Sequence, residues 1–248
     1  MNVSLFVVLV ATAFCFSAGK IVVTTIGDSI TEGGGCPNAG TYSEELQSML
    51  GEQYYEVVNA GASGQTQMKE GLCYPDKVDK CSYRDTDAWK RALDSNAEIY
   101  TIMLGTNDAK TFNWQGVQMD QGDFYGVDYL DMIRELHALE PAPKAIFLMV
   151  SPPLFTNSTG QYVYHMDQNV INKILPKLIP DLASVAGSAV TGVIDVQGAI
   201  LASPLAKDDS NLHLKLQCDG CHPTAIANKI IAETMVPYIL AVGSSIAR

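Results

Sequence analysis

Positive charge is scarce in this 248-residue chain. Its 16 Lys and Arg stand against 27 Asp and Glu, for a net charge of −11. No basic face is available for nucleic acid or an anionic membrane surface, and the balance leans toward a neutral or cationic small-molecule partner. Charged residues make up only 17% of the chain and hydrophobic ones 47%, which excludes a disordered protein and leaves enough apolar mass for a large core. Repeats, low-complexity segments and an interdomain linker are missing, so residues 20–248 read as one domain. After the first 16 residues no run reads as long enough to cross a bilayer. Gly33-Gly34-Gly35 lacks the Lys-Ser/Thr of a phosphate loop. Only one C-x-x-C string exists, so Cys218, Cys221, His213 and His222 do not read as a structural zinc site.

The apolar stretch Val3 to Phe16, followed by Ser17, Ala18 and Gly19, has the length of a signal-peptide core with a small-residue cleavage region. Residues 1–19 are therefore expected to be removed and the mature chain secreted as a monomer with no stable membrane association, although Met1-Asn2 carries no basic residue. Export suits the cysteines. Cys15 would leave with the leader, and the expected pairs are Cys73–Cys81 and Cys218–Cys221 with Cys36 free; other connectivities stay open. Asn157-Ser158-Thr159 is an N-glycosylation acceptor in a polar, loop-like stretch.

Apolar β-branched runs alternate with helix-like segments. Strands are expected at Lys20–Ile26, Tyr55–Asn59, Ile99–Leu104, Ala145–Val150 and Val190–Val196. Helices are expected at Thr41–Leu50, opened by a Thr41/Glu44 capping box, and at Ala88–Leu93 and Tyr125–Leu139. Two more follow, Asp167–Ala186 with kinks at Pro176 and Pro180, and Pro223–Val242. This order predicts an α/β fold: a three-layer α/β/α sandwich around a flavodoxin-like, five-stranded parallel sheet. In such folds the site lies beyond the C-terminal strand ends.

The segments that follow those strands are small and polar. Gly27-Asp28-Ser29 follows the first, and Asn59 to Gly64 the second. Gly105-Thr106-Asn107-Asp108 follows the third, and Asp219-Gly220-Cys221-His222-Pro223 comes after the fifth. A Ser in a strand-to-helix turn could merely cap the helix. With the other segments it completes an acyl-transfer set. Ser29 is the candidate nucleophile and His222 its general base. Asp219, three residues earlier, can fix the imidazole tautomer. The Ser29 and Gly64 backbone N–H groups and the Asn107 amide can receive an oxyanion.

These blocks, Gly27-Asp28-Ser29, Gly64, Gly105-x-Asn107-Asp108 and Asp219-x-x-His222-Pro223, match in order and spacing those of the SGNH hydrolase (GDSL esterase/lipase) superfamily, which the sequence resembles over nearly its whole mature length. The resemblance implies an α/β/α fold and no metal or other cofactor. It also implies ester hydrolysis through an acyl-serine intermediate, with the roles just given to Ser29, Gly64, Asn107, Asp219 and His222. The longer stretch Met103 to Lys110, continued by Asn113-Trp114, resembles a branch rich in carbohydrate esterases. It suggests acetyl esters on glycans, with Trp114 beside the pocket under a sugar ring or, equally, in the core. Asp28 and Asp108 are candidate substrate-side residues that could instead brace their turns.

Four rivals remain. A lipase or lysophospholipase would use the same set. A glycan-binding module would have lost turnover. Cys218-x-x-Cys221-His222 also has the spacing of a c-type haem attachment. His137, His165 and His213 read as a helix-end residue and two surface or substrate-rim residues.

Overall fold

The structure, a computed structural model, describes residues 19–114, 123–207 and 211–246. The proposed leader, Cys15 and most of the segment from Lys110 to Gly122 lie outside the described residues.

Five strands form one parallel sheet: β1 (Ile21–Gly27), β2 (Tyr55–Gly61), β3 (Ile99–Met103), β4 (Ala145–Val150) and β5 (Gly192–Asp195), in the order β2-β1-β3-β4-β5. Their residues alternate between two cores, as the pleat requires. In β4, Ile146, Leu148 and Val150 enter one core while Ala145, Phe147 and Met149 enter the other. Both sides being buried explains why this strand is apolar throughout. On the first face pack α3 (Asp87–Asp94), α5 (Asp123–His137) and α6 (Leu175–Ala186), through Trp89, Tyr129 and Ile179 among others. On the second pack α2 (Tyr42–Leu50), α7 (Val196–Leu201) and α8 (Ala225–Ile246), through Leu46, Ile200 and Ile231. Two one-turn helices, α1 (Ser29–Glu32) and α4 (Thr111–Trp114), follow β1 and β3. The three-layer fold is therefore as expected.

Local chemistry explains the helix starts. Thr41 accepts from the Glu44 N–H at 3.0 Å while Glu44 accepts from the Thr41 N–H at 2.8 Å, the reciprocal capping box. The segment expected as one helix from Asp167 begins instead as a wide π-turn, Val170–Ile174, before α6, whose first turn carries Pro176. The missing proline N–H is harmless there. α7 was not expected. Its start is set by Asp195, whose side chain accepts from the Gly198 N–H.

By length and composition, α8 is apolar enough to cross a membrane, contrary to the expectation that no late segment would be. Its buried residues, including Ala227, Ile231, Met235 and Ile239, belong to the second core.

Among the described residues two disulfides are present. Cys73–Cys81 is as expected, but Cys218 pairs with Cys36, and Cys221 is the free, buried cysteine. The reason lies in the turn between Cys218 and His222. Asp219 Oδ1 accepts from the N–H groups of both Cys221 and His222, and Gly220 adopts a left-handed φ of 87°. That geometry sends the Cys221 sulfur inward, 3.8 Å from Met166 Sδ. A covalent haem link through both cysteines is accordingly not available.

Candidate active site

The carboxyl ends of β1, β2 and β3 deliver three loops to one rim. Asp28 caps α1 by accepting from the Ile30 N–H at 3.0 Å, which sets Ser29 as the first residue of that turn. Ser29 Oγ lies 3.0 Å from His222 Nε2, and His222 Nδ1 lies 2.7 Å from Asp219 Oδ2. The carboxylate beside Nδ1 assigns the proton to that nitrogen and leaves Nε2 free to accept the serine proton. Asp219 is held well below the usual carboxylate range. Burial opposes this, but hydrogen bonds from the His222 ring and from backbone N–H groups outweigh it.

Ser29, Gly64, Asn107 and His222 line one cavity of about 210 Å³, together with Gly34, Gly35, Ser63, Tyr74, Lys110, Tyr164 and Met166. A larger groove of about 610 Å³, edged by Glu32, Glu44 and Glu52, contains none of the expected residues apart from the chain around Gly61. The backbone of Gly64 is left-handed, with φ 78°, and nothing stands within 4 Å of where a Cβ would be. A ligand in the cavity can thus approach this stretch of backbone closely. At Gly35 a Cβ would fall 2.1 Å from His222 Cγ, so only glycine lets the loop after α1 pass the imidazole.

Asp28, Asp108 and Trp114 do not reach the cavity. Asp28 is buried beneath Ser29, where its other oxygen lies 3.4 Å from Asn107 Nδ2; burial pushes its pKa up to about 6. Asp108 accepts from the N–H groups of Gln67 and Met68 at 2.9 and 2.8 Å, and burial pushes it up to about 7. Both brace loops and neither faces substrate. Trp114 is only 6% exposed and packs against Tyr125 with ring centroids 5.7 Å apart, so it is a core residue. Its neighbour Asn113 is the braced partner of the site, donating to the carbonyls of Asn107 and Leu72. His213 is buried as well, its Nε2 2.7 Å from the Thr156 carbonyl, rather than at a surface or rim. In the acceptor tripeptide at Asn157, Ser158 and Thr159 are exposed.

Sequence reasoning missed Tyr164 and passed over Lys110. Tyr164 donates its hydroxyl proton to Asp219 Oδ2 at 2.8 Å and packs edge-on against His222, the ring planes 75° apart. No pattern joins it to Asp219, 55 residues away. Lys110 was within the Asn107 stretch, but spacing alone does not say that its side chain turns into the cavity.

The family profile of the GDSL-like lipase/acylhydrolases matches residues 25–230. The chain belongs to that family. This GDSL-like protein is 30% identical over 237 residues to an acetylxylan esterase of Xylanibacter ruminicola, a match spanning 88% of the chain but 43% of that relative. Among solved structures it resembles an acetyl xylan esterase, AlAXEase, with a TM-score of 0.64 at 21% identity, covering 88% of this chain and 100% of the other. It also resembles a carbohydrate acetylesterase family member from Sinorhizobium meliloti, with a TM-score of 0.61, 17% identity and coverage of 90% and 99%. A third, the lipase/acylhydrolase from Enterococcus faecalis, gives 0.60 and 18%, with coverage of 89% and 96%. At such identities these structures establish the shared SGNH hydrolase fold.

Proposed function

We propose that the protein is a secreted serine esterase that removes short acyl groups, principally acetyl, from sugar-borne esters. The observation that carries the reading is the continuous chain Ser29 Oγ–His222–Asp219, at 3.0 and 2.7 Å, opening on a cavity lined by Gly64 and Asn107. The family membership and the 30% identity to an acetylxylan esterase support it, and a cavity of about 210 Å³ suits an acetyl better than a long acyl chain.

The steps follow from the geometry. His222 Nε2 takes the proton of Ser29 as Oγ bonds to the ester carbonyl carbon. The imidazolium is stabilised by Asp219, which stays ionised. Negative charge gathers on the former carbonyl oxygen, where the N–H groups of Ser29 and Gly64 and the second Nδ2 hydrogen of Asn107 can receive it. His222 returns the proton to the departing alkoxide as the ester C–O bond breaks. Water then attacks the acyl-serine under the same base, releasing acetate and restoring Ser29.

The test is hydrolysis of 4-nitrophenyl acetate, butyrate and octanoate by the purified chain beside Ser29→Ala and Asn107→Ala. Acetate should be cleaved fastest, Ser29→Ala should abolish turnover, and Asn107→Ala should lower kcat by about 10²–10³. Turnover that survives in Ser29→Ala would overturn the assignment, and a preference for octanoate would move the substrate class to lipids.

A further inference from the structure

Lys110 is the feature of the cavity that the acyl-transfer set leaves unused. Its residue is only 3% exposed, yet it contributes to the wall of the cavity that holds Ser29 and His222. Its backbone is fixed on both sides, donating to the Asn107 carbonyl and accepting from the N–H groups of Asn113 and Trp114. Its ammonium stands over the Tyr74 ring, 5.3 Å from the centroid. Among the described residues no carboxylate lies within ion-pair distance of the nitrogen and no acceptor takes its protons; the acids it senses, Asp28 and Asp108, have other partners.

An ammonium that opens only on a cavity and has no acceptor from the protein is costly, and an aromatic face offsets only part of that cost because it accepts none of the three N–H bonds. Burial accordingly draws the Lys110 amine below its ordinary pKa. Its acceptor is therefore water or a group of the molecule that fills the cavity. One ammonium suits one negative charge. A dianion would meet the ionised Asp219 behind His222, with nothing to balance its second charge. A protein of net charge −11 also repels acidic substrates at long range, so a local cation is what would admit one.

Resting on the esterase reading, we propose that Lys110 selects esters that carry a carboxylate beside the reacting carbonyl: an O-acetylated uronic acid if the charge is on the sugar, or a dicarboxylic half-ester if it is on the acyl group. The Tyr74 ring, which covers the ammonium on one side, meets the Tyr164 ring edge-on at 6.3 Å, and the two form the aromatic edge along which such a group would enter.

The experiment compares charged and uncharged twins. Monoacetylated methyl glucuronosides are set against their carboxamides, and monoethyl succinate against ethyl butyrate, in the wild-type chain and in Lys110→Met. The readout is the ratio of kcat/KM within each pair, so a general loss of activity cancels. A ratio of about tenfold or more for the charged twin in either pair, falling toward one in Lys110→Met, supports the proposal, and the responding pair tells which side bears the charge. Wild-type ratios at or below one in both pairs overturn it without recourse to the variant, as does a ratio that persists in Lys110→Met. If 4-nitrophenyl acetate is not hydrolysed either, the esterase reading has failed separately. Calorimetric binding of methyl glucuronoside against methyl glucoside, and of succinamate against butyramide, to the wild-type chain then decides the anion site: tighter binding of either charged member upholds it, equal binding in both pairs removes it.

Discussion

Tyr164 shows how one hydroxyl can tune the pair it does not join. Asp219 accepts four hydrogen bonds: from the N–H groups of Cys221 and His222 on Oδ1, and from His222 Nδ1 and the Tyr164 hydroxyl on Oδ2. The Tyr164 phenol stays protonated, since burial and then the neighbouring Asp219 raise its pKa. It therefore remains a donor and draws off part of the carboxylate charge that would otherwise stabilise the His222 imidazolium. Tyr164→Phe removes the donor and keeps the ring packed against His222. The imidazolium gains, so the acidic limb of the kcat/KM profile should move to higher pH, by less than about one unit, since only part of a bond worth ~1.5 kcal/mol changes when the imidazole takes its proton. A role confined to packing would change the height of that profile and leave its limb in place. The same residue marks a boundary of what can be read from sequence. Ser29, Asn107, Asp219 and His222 stand next to glycines and prolines at predictable turns. Tyr164 and Tyr74 reach the site from loops whose path depends on the fold. Trp114 was the aromatic residue that the sequence offered for stacking on a sugar ring, and its ring is in the core against Tyr125.

At the scale of elements, strands and helices were legible because both faces of the sheet are covered: β3 and β4 are apolar almost end to end, and α2 and α3 open on the threonine caps Thr41 and Thr86. Less legible was how the loops brace each other. Asp108, after β3, accepts from Gln67 and Met68 in the loop after β2 with one carboxylate oxygen each, and so ties the Asn107 loop to the segment carrying Gly64. Burial sets its pKa at about 7 against 3.8 for the free group. A carboxylate with a raised folded-state pKa favours the folded chain when protonated, so its contribution is fully present below about pH 4 and is lost as pH rises through about 7. Asn at this position keeps one acceptor and removes the titration. Asp108→Asn should therefore be less stable than wild type at pH 4, by about 1–3 kcal/mol for the unpaired N–H. The gap should narrow steadily toward pH 7 in urea midpoints. A gap that is constant or widens with pH would mean that Asp108 is not held protonated.

For the whole molecule, the disulfides differ most in what they enclose. Cys36–Cys218 joins residues 182 apart and fastens the loop after α1 to the turn that holds Asp219 and His222, whereas Cys73–Cys81 closes only 8. The sequence could not indicate this, since the proximity of Cys218 and Cys221 in the chain is easy to see and the proximity of Cys36 and Cys218 exists only after β1 and the last turn have met at the same rim. In the chain-entropy account the long loop is worth about 5 kcal/mol and the short one about 2.5 kcal/mol. Replacing Cys36 and Cys218 together by Ser should lower the thermal midpoint roughly twice as far as replacing Cys73 and Cys81. It should also lower kcat on 4-nitrophenyl acetate at temperatures where both variants remain folded, because the loop that Gly35 threads past His222 loses its anchor. Midpoints by calorimetry and initial rates at 15 °C separate the two effects. Equal midpoint losses would place the stabilisation in native contacts around the bridges rather than in the enclosed chain, and an unchanged kcat would show that hydrogen bonds alone hold Ser29 and His222 together. The bridge also bears on where the protein works: it persists in an oxidising compartment and is opened by cytosolic reductants, so chain produced in a reducing cytoplasm should show the properties of the Cys36/Cys218 double variant until it is oxidised.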